Sequence, residues 1–187
     1  MLSSDGGCDH AMLSRVNKAW NKFRELESFL CAKRISVKVK GKVHAACVRS
    51  RMIYDGETLA MSVENMRKLE RTEMRMLRLM CAIRLQDRII NADLWDRFVI
   101  ESIGDIIRRS RLRWFGHVEH KPEEDWVKRI LTFELEGKKL RGRPRKTWME
   151  VIKNDLRSLH ANRVDTQNRT LWRKIIRGGR QANLGDL

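Results

Sequence analysis

The sequence has no apolar run of the ~20 residues that are needed to cross a lipid bilayer. Its first seven residues, Met1 to Gly7, contain no basic stretch followed by an apolar one. Secretory and organellar targeting segments need features of that kind. We therefore expect neither a membrane-spanning nor a secreted protein, but an intracellular one.

Metal-ligand spacing is also absent. The four cysteines are scattered, and no two of them form the CxxC pair that is typical of a zinc site. His117 and His120 lie close together but have no cysteine nearby, so we expect no bound metal. Cys47 and Cys81 fall within apolar helical patterns, where we expect small buried thiols.

The patterns of common catalytic sites are missing as well. The sequence contains no Asp-Asp pair, no glycine-rich phosphate loop and no nucleophile elbow. Two-metal polymerisation would need clustered carboxylates. The densest acidic run, Glu123-Glu124-Asp125 after Pro122, suits the first turn of a helix, where negative charge is favoured. We expect no enzyme activity, no catalytic residues and no cofactor.

Positive charge is what the sequence has in excess. Lys and Arg number 40 against 24 Asp and Glu, which gives a formal net charge of +16 at pH 7. Such an excess repels itself in a compact chain unless a polyanion neutralises it. We expect that polyanion to be nucleic acid, because no segment combines a basic face with a continuously apolar one, as a helix lying on acidic lipid does. Neither a membrane nor a small-molecule substrate is expected as a partner.

Apolar residues recur at three-to-four-residue spacing along most of the chain, which predicts an all-α fold. Ser62 is the predicted cap of the clearest helix, whose apolar stripe includes Val63, Met66, Leu69 and Met80. The other predicted helices cover residues 9–30, 36–53, 91–98, 102–120, 122 onwards, 148–159 and 165 onwards. The helix over 36–53 would bury Val39, Val43, Cys47, Ile53 and Tyr54. Brief alternation permits one short strand over 131–136, and a β-branched start permits another near 37–39.

A loop before the helix over 148–159 carries six cations and no acid. Its candidate nucleic-acid-binding residues are Lys138, Lys139, Arg141, Gly142, Arg143, Arg145 and Lys146. The sequence Arg141-Gly142-Arg143-Pro144 is the core of an AT-hook: Pro144 favours an extended Arg143, and Gly142 lets the backbone lie close to the floor of the minor groove. The loop has three open roles, which are phosphate contact, an AT-hook in A·T-rich DNA and a solvated connection.

The helix over 102–120 is rich in arginine. Its candidate phosphate contacts are Arg109, Arg111 and Arg113. Its predicted core anchors, which we prefer to a role in stacking on bases, are Trp114, Phe115 and Val118. Gly116 is predicted to allow close helix packing, and His117 is predicted to be a buried or capping histidine.

Four stretches resemble, in order and approximate spacing, successive blocks of the region that follows the polymerase palm in LINE-type (non-LTR) retrotransposon reverse transcriptases. They begin at Lys40, Leu69, Arg111 and Glu136, and the last two contain the specific sequences RLRWFGHV and RGRPRKTW. The resemblance covers nearly the whole chain. The family pattern has glycine where Val99 stands and tryptophan where Leu79 stands, and we expect valine and leucine to be acceptable there.

The resemblance implies a thumb-like multi-helix bundle that grips the template–product duplex by its backbone. It implies subdomains over residues 1–85 and 86–187, and binding to DNA, RNA or their hybrid in the nucleus. The family enzyme is an RNA-directed DNA polymerase, and residues 3–7 resemble the stretch just after its palm. The catalytic aspartates and the endonuclease are therefore expected to lie outside this chain. A surface that the palm would cover is expected to promote self-association.

Two other interpretations remain open. The chain would be a small nuclear AT-hook protein if it preferred A·T-rich duplex. It would be an element remnant without a cellular role if nothing selects its sequence.

Overall fold

The computed structural model describes residues 8–133 and 146–178, and the regular structure within these ranges is entirely helical. The predicted all-α class is confirmed. The α-helices are α1 Asp9–Glu25, α2 Glu27–Leu30, α3 Val37–Val43, α4 Ser50–Ile53, α5 Val63–Met80, α6 Asn91–Phe98, α7 Ile103–Glu119, α8 Trp126–Thr132, α9 Trp148–Ser158 and α10 Arg169–Gly178. A π-helical segment, His44–Arg49, joins α3 to α4, and 3-10 turns cover Leu85–Asp87 and Arg163–Gln167.

Side-chain caps set several of the helix starts. Ser62 Oγ accepts from the backbone N–H of Asn65 at 3.1 Å, as predicted for the start of α5. Thr147 and Glu150 form a reciprocal capping box at the start of α9. Such caps satisfy backbone donors that the first helical turn leaves without partners. These helix starts are therefore encoded locally.

Two predictions around α8 were wrong. Pro122 does not begin this helix, since Asp125 is its cap and accepts from the N–H of Val127 at 2.9 Å. The short strand that the alternation permitted over 131–136 does not form at its first two residues, because Leu131 and Thr132 belong to α8. The alternation was too short to outweigh a helix that Asp125 had already started. Residues 134–136 lie outside the described ranges, and the alternative strand near 37–39 is replaced by α3.

The described chain forms two compact units. Unit 1 contains residues 8–56 and 61–107, and unit 2 contains residues 57–60, 108–133 and 146–178. This division differs from the one after residue 85 that the sequence suggested, because α6 packs against α3 and α5 within unit 1. Residues 57–60 join unit 2, where the Trp148 indole N–H donates to the Glu57 carbonyl at 2.7 Å.

Helix α5 supplies much of the core of unit 1. Leu69, Met76, Leu77 and Met80 are buried, as the predicted stripe requires, whereas Val63 at the start of the stripe is exposed. The same face also buries an acid that the pattern did not indicate. The Glu73 carboxylate is completely buried and accepts from Arg49 Nε at 2.5 Å. A buried charge of this kind is tolerated only with a partner.

The predicted apolar stripe of the second helix was wrong. Val39 and Tyr54 are exposed, and Val43, Cys47 and Ile53 are half-buried. The buried side instead carries Lys40, Gly41, His44, Val48, Arg49 and Met52. A hydrophobicity pattern misplaces this face because three of its buried side chains are ionisable.

His44 lies in the π-helical segment and is completely buried. Neither of its ring nitrogens has a hydrogen-bond partner within the described ranges. Burial, reinforced by the positive charge of Arg49, lowers the pKa of His44 to about 3. The imidazole is therefore neutral at physiological pH.

The residue that follows α6 is a valine in the left-handed backbone region. Val99 has φ 55° and ψ 49°. A β-branched residue is strained there, because Cβ approaches the following carbonyl oxygen at a cost of roughly 1–2 kcal/mol. The structure corrects the expectation that valine is acceptable at this position, since the backbone conformation favours glycine.

The core of unit 2 is formed by α7, α9 and α10. It contains Leu112, Phe115, Ile152, Leu156, Trp172 and Ile176. The predicted close packing at Gly116 is confirmed, because a Cβ built there would lie 2.9 Å from Cδ1 of Trp172 and closer still to its Nε1. Phe115 and Val118 are buried as predicted, and Trp114 is half-buried.

Candidate nucleic-acid interface

Most of the predicted basic loop falls on residues whose placement is not described. Lys138, Lys139, Arg141, Gly142, Arg143 and Arg145 all lie outside the described ranges. Lys146 is described and exposed, and it lies directly before the Thr147 cap of α9. The nucleic-acid-binding role of the loop therefore remains a prediction. Its last cation, Lys146, lies at the surface.

The three arginines predicted on α7 have different environments. Arg113 is exposed and Arg109 is half-buried. Arg111 is only 3% exposed, and its Nε lies 3.5 Å from an Asp155 carboxylate oxygen on α9. Burial lowers the pKa of Arg111, while the nearby carboxylate opposes that shift. Arg111 is thus an internal cation of unit 2 and is withdrawn from the candidate phosphate contacts.

One side of α10 forms a basic surface that was not predicted from the sequence. Its four cations are exposed, whereas Trp172 and Ile176 are buried on the other side of the helix. The cations are Arg169, Arg173, Lys174 and Arg177, and we call this set the α10 ridge. The three arginines recur every four residues, which separates successive positions by about 6 Å along the helix axis. They therefore follow one side of α10.

Within the part of the chain that the structure describes, no acidic side chain pairs with the α10 ridge. Helix α10 contains no Asp or Glu, and none of the four cations forms an ion pair with another described residue. Each charged head is therefore able to meet an anion without first breaking an internal contact. The four-residue spacing of Arg169, Arg173 and Arg177 in the sequence indicates a basic helix face. This face was not predicted, because only the apolar residues between the arginines were used to interpret the helix.

Unit 1 has a comparable row of arginines on α5, but these are engaged within the protein. Arg67, Arg71 and Arg75 are exposed at the same four-residue spacing. Arg71 donates to the Glu64 carboxylate at 2.5 Å, and the Arg75 guanidinium lies 5.4 Å from the centroid of a Trp20 ring. A phosphate would compete with both contacts. The α10 ridge is therefore the stronger candidate for binding a polyanion.

An exposed tryptophan on α8 adds a possible stacking surface in unit 2. Trp126 is 72% exposed, and the Arg129 guanidinium lies 4.9 Å from its ring centroid. An exposed aromatic ring beside a cation is the arrangement that stacks on unpaired bases. Trp126 was not predicted from the sequence, where only aromatic residues of α7 were candidates for stacking.

The histidine and cysteine predictions are partly corrected. His117 is exposed in the last turn of α7, so the prediction of a buried histidine was wrong, and its role as a capping residue stays a prediction. Cys47 and Cys81 are half-buried rather than fully buried, and burial raises the pKa of the Cys81 thiol. Over the described ranges, no group of three or more His, Cys, Asp or Glu side chains is arranged to hold a metal ion. Within the same part of the chain, no helix has both the length and the apolarity to span a bilayer.

Comparisons with protein-family models, with curated proteins and with solved structures found no match to this chain.

Proposed function

We propose that this chain is a non-catalytic nucleic-acid-binding module that holds a duplex through its phosphate backbone. The observation that carries the proposal is the α10 ridge, four exposed cations on a helix without acids. Phosphate contacts of this type fix position and affinity but read little sequence. The ridge therefore supports binding with weak sequence preference.

Three features of the sequence point in the same direction. The net charge of +16 favours binding to a polyanion, and the loop ending at Lys146 concentrates six further cations. The resemblance to the post-palm region of LINE-type reverse transcriptases supplies a role for such a module, which is to grip the template–product duplex in the nucleus. In that role the catalytic carboxylates belong to the palm, and this chain contributes affinity.

The test is the salt dependence of duplex binding by the intact chain. Each neutralised phosphate contributes about −0.9 to the slope of log Kobs against log salt on B-DNA. Replacing Arg169, Arg173 and Arg177 by alanine should therefore make the slope shallower by up to about 2.7 and weaken binding. Fluorescence anisotropy with a labelled duplex at several salt concentrations measures both quantities.

A matched control separates local contacts from net charge. The control variant replaces three exposed cations of unit 1 by alanine, which are Lys18, Arg24 and Arg34. It removes the same formal charge and should leave the slope nearly unchanged. Equal slopes for the ridge variant and the unaltered chain would refute a role for α10.

The AT-hook alternative rests on Arg141-Gly142-Arg143-Pro144. It predicts a preference for A·T-rich over G·C-rich duplex that disappears when Arg141 and Arg143 are replaced by alanine. Backbone binding predicts similar affinity for both duplexes. Measuring the two duplexes in the same anisotropy experiment decides between these functions.

A further inference from the structure

Unit 1 contains a cavity of about 710 Å³ with a strongly cationic lining. It lies where the chain before α3 and the start of α3 meet the end of α5, with one residue of α6 alongside. Four of its lining residues are cations, namely Lys33, Lys38, Lys40 and Arg97. None of the four belongs to the α10 ridge or to the predicted basic loop.

Lys40 is the unusual member of this set. It is 4% exposed, and its Nζ donates to the Met80 carbonyl at 3.1 Å, which is the partner that the structure shows for it. An ammonium removed from water needs a compensating charge or several hydrogen bonds, because desolvating it costs several kcal/mol. One carbonyl supplies a single acceptor for a group with three donors.

The local counter-charge is much smaller than the positive charge. Met80 is the last residue of α5, and a helix C-terminus is equivalent to roughly half a negative elementary charge. Among the described residues that line the cavity there is no Asp or Glu. Glu27 raises the pKa of the lining thiol of Cys31, but it is not itself part of the lining. Lys33, Lys38 and Arg97 are exposed to solvent, so the buried Lys40 is the cation whose charge an anion in the cavity would compensate.

We propose that this cavity binds a phosphate group carried by a small organic molecule or by a strand end. A phosphate monoester has close to two negative charges and three acceptor oxygens, so it can satisfy several cations at once. The volume exceeds what phosphate alone needs and lies within the range of small-ligand pockets. Ile35 and Ile83 provide apolar wall for an organic part. The ligand class is therefore a nucleotide-like phosphomonoester, which was not expected from the sequence.

The first experiment measures binding of AMP and inorganic phosphate to the intact chain by isothermal titration calorimetry. A double variant, Lys33→Ala with Arg97→Ala, removes two exposed lining cations without altering the buried Lys40. We expect it to weaken AMP binding by tenfold or more. The matched control is Lys42→Ala on α3, an exposed lysine outside the lining that should leave AMP affinity unchanged.

A second variant tests the buried cation. Lys40→Met keeps the length of the side chain and removes its charge, so we expect it to abolish AMP binding while the helical circular dichroism spectrum is retained. If that variant unfolds, the Lys33→Ala, Arg97→Ala pair still decides the outcome. Absence of AMP binding to the unaltered chain at millimolar concentration, or equal AMP affinity in the double variant, would overturn the proposal.

The source of the phosphate is resolved by a parallel measurement with short oligonucleotides. Tighter binding of a 5′-phosphorylated strand than of the same strand with a 5′-hydroxyl, lost in the double variant, assigns the cavity to a strand end. AMP binding without that discrimination assigns it to a free nucleotide. Both results support the proposal, and neither depends on the α10 ridge, so this inference and the proposed function can fail separately.

Discussion

The buried histidine of the π-helical segment makes a quantitative prediction about acid stability. The pKa of His44 is about 3 in the folded chain and about 6.5 when the residue is exposed on unfolding. The unfolded state therefore binds more protons between these values, and stability rises with pH across that window. The contribution of His44 titration to the free energy of unfolding is therefore fully present above about pH 6.5. It is lost as the pH falls toward 3.

The size of the effect follows from the displacement of the pKa. One pKa unit corresponds to 1.36 kcal/mol, so a displacement of about 3.5 units corresponds to about 5 kcal/mol as an upper limit. On acidification from pH 8 to pH 5, the pH falls about 1.5 units below the pKa of His44 in the unfolded chain. The resulting loss of folding stability is about 2 kcal/mol. A loss of that size is a substantial fraction of the stability of an ordinary domain.

The variant His44→Leu removes the titrating group and fills a similar volume. Neither ring nitrogen has a partner to lose within the described ranges, so the substitution leaves no orphaned donor there. We expect the unaltered chain to lose about 2 kcal/mol more than the variant between pH 8 and pH 5. Urea unfolding followed by circular dichroism measures the free energy of unfolding at each pH. The carboxylates titrate in both proteins, so their contribution cancels when the two free energies are subtracted.

An exposed histidine provides the control. His117→Gln is the matched substitution, because it replaces a histidine that is exposed on α7. Equal losses of stability on acidification for the unaltered chain and His44→Leu would contradict the role of His44. An equal reduction of the pH dependence by His117→Gln and by His44→Leu would contradict it as well.

Two further predictions concern backbone and packing. Val99→Gly should raise the free energy of unfolding by about 1 kcal/mol, since it removes the strain of a left-handed valine, and a lower urea midpoint would contradict this. Gly116→Ala should destabilise the chain by about 1–3 kcal/mol despite the better helix propensity of alanine, because its Cβ would meet the indole of Trp172. Gly178→Ala is the control for the second substitution, since a Cβ there meets nothing within 4 Å, and equal midpoints for the two alanine variants would refute the packing explanation.

The local features of the fold could be predicted from the sequence because short-range interactions decide them. The predicted cap at Ser62 lies next to the donor that it satisfies, and the apolar spacing of α5 and α9 was sufficient to identify both helices. Gly116 was also identified correctly, because a glycine within an apolar helix face indicates close packing. Each of these predictions uses residues separated by no more than a few positions.

The candidate site could be predicted only in part. Exposure on α10 was not deduced, although the spacing of Arg169, Arg173 and Arg177 was visible, because periodicity alone does not say which side of a helix meets the protein. Arg111 was wrongly predicted to be at the surface, because the sequence pattern does not show that this side of α7 is buried. A guanidinium in a basic helix suggests a surface contact, but the packing of α7 on α9 places it beside Asp155.

The sequence by itself determined that this chain is helical and where most of its helices begin and end. Only the tertiary structure decided which cations are internal. Lys40, Arg49 and Arg111 contact partners that are 40, 24 and 44 positions away along the chain, which are Met80, Glu73 and Asp155. A buried charge is set by distant groups that folding brings into contact, so no local pattern distinguishes such an arginine or lysine from one that faces solvent.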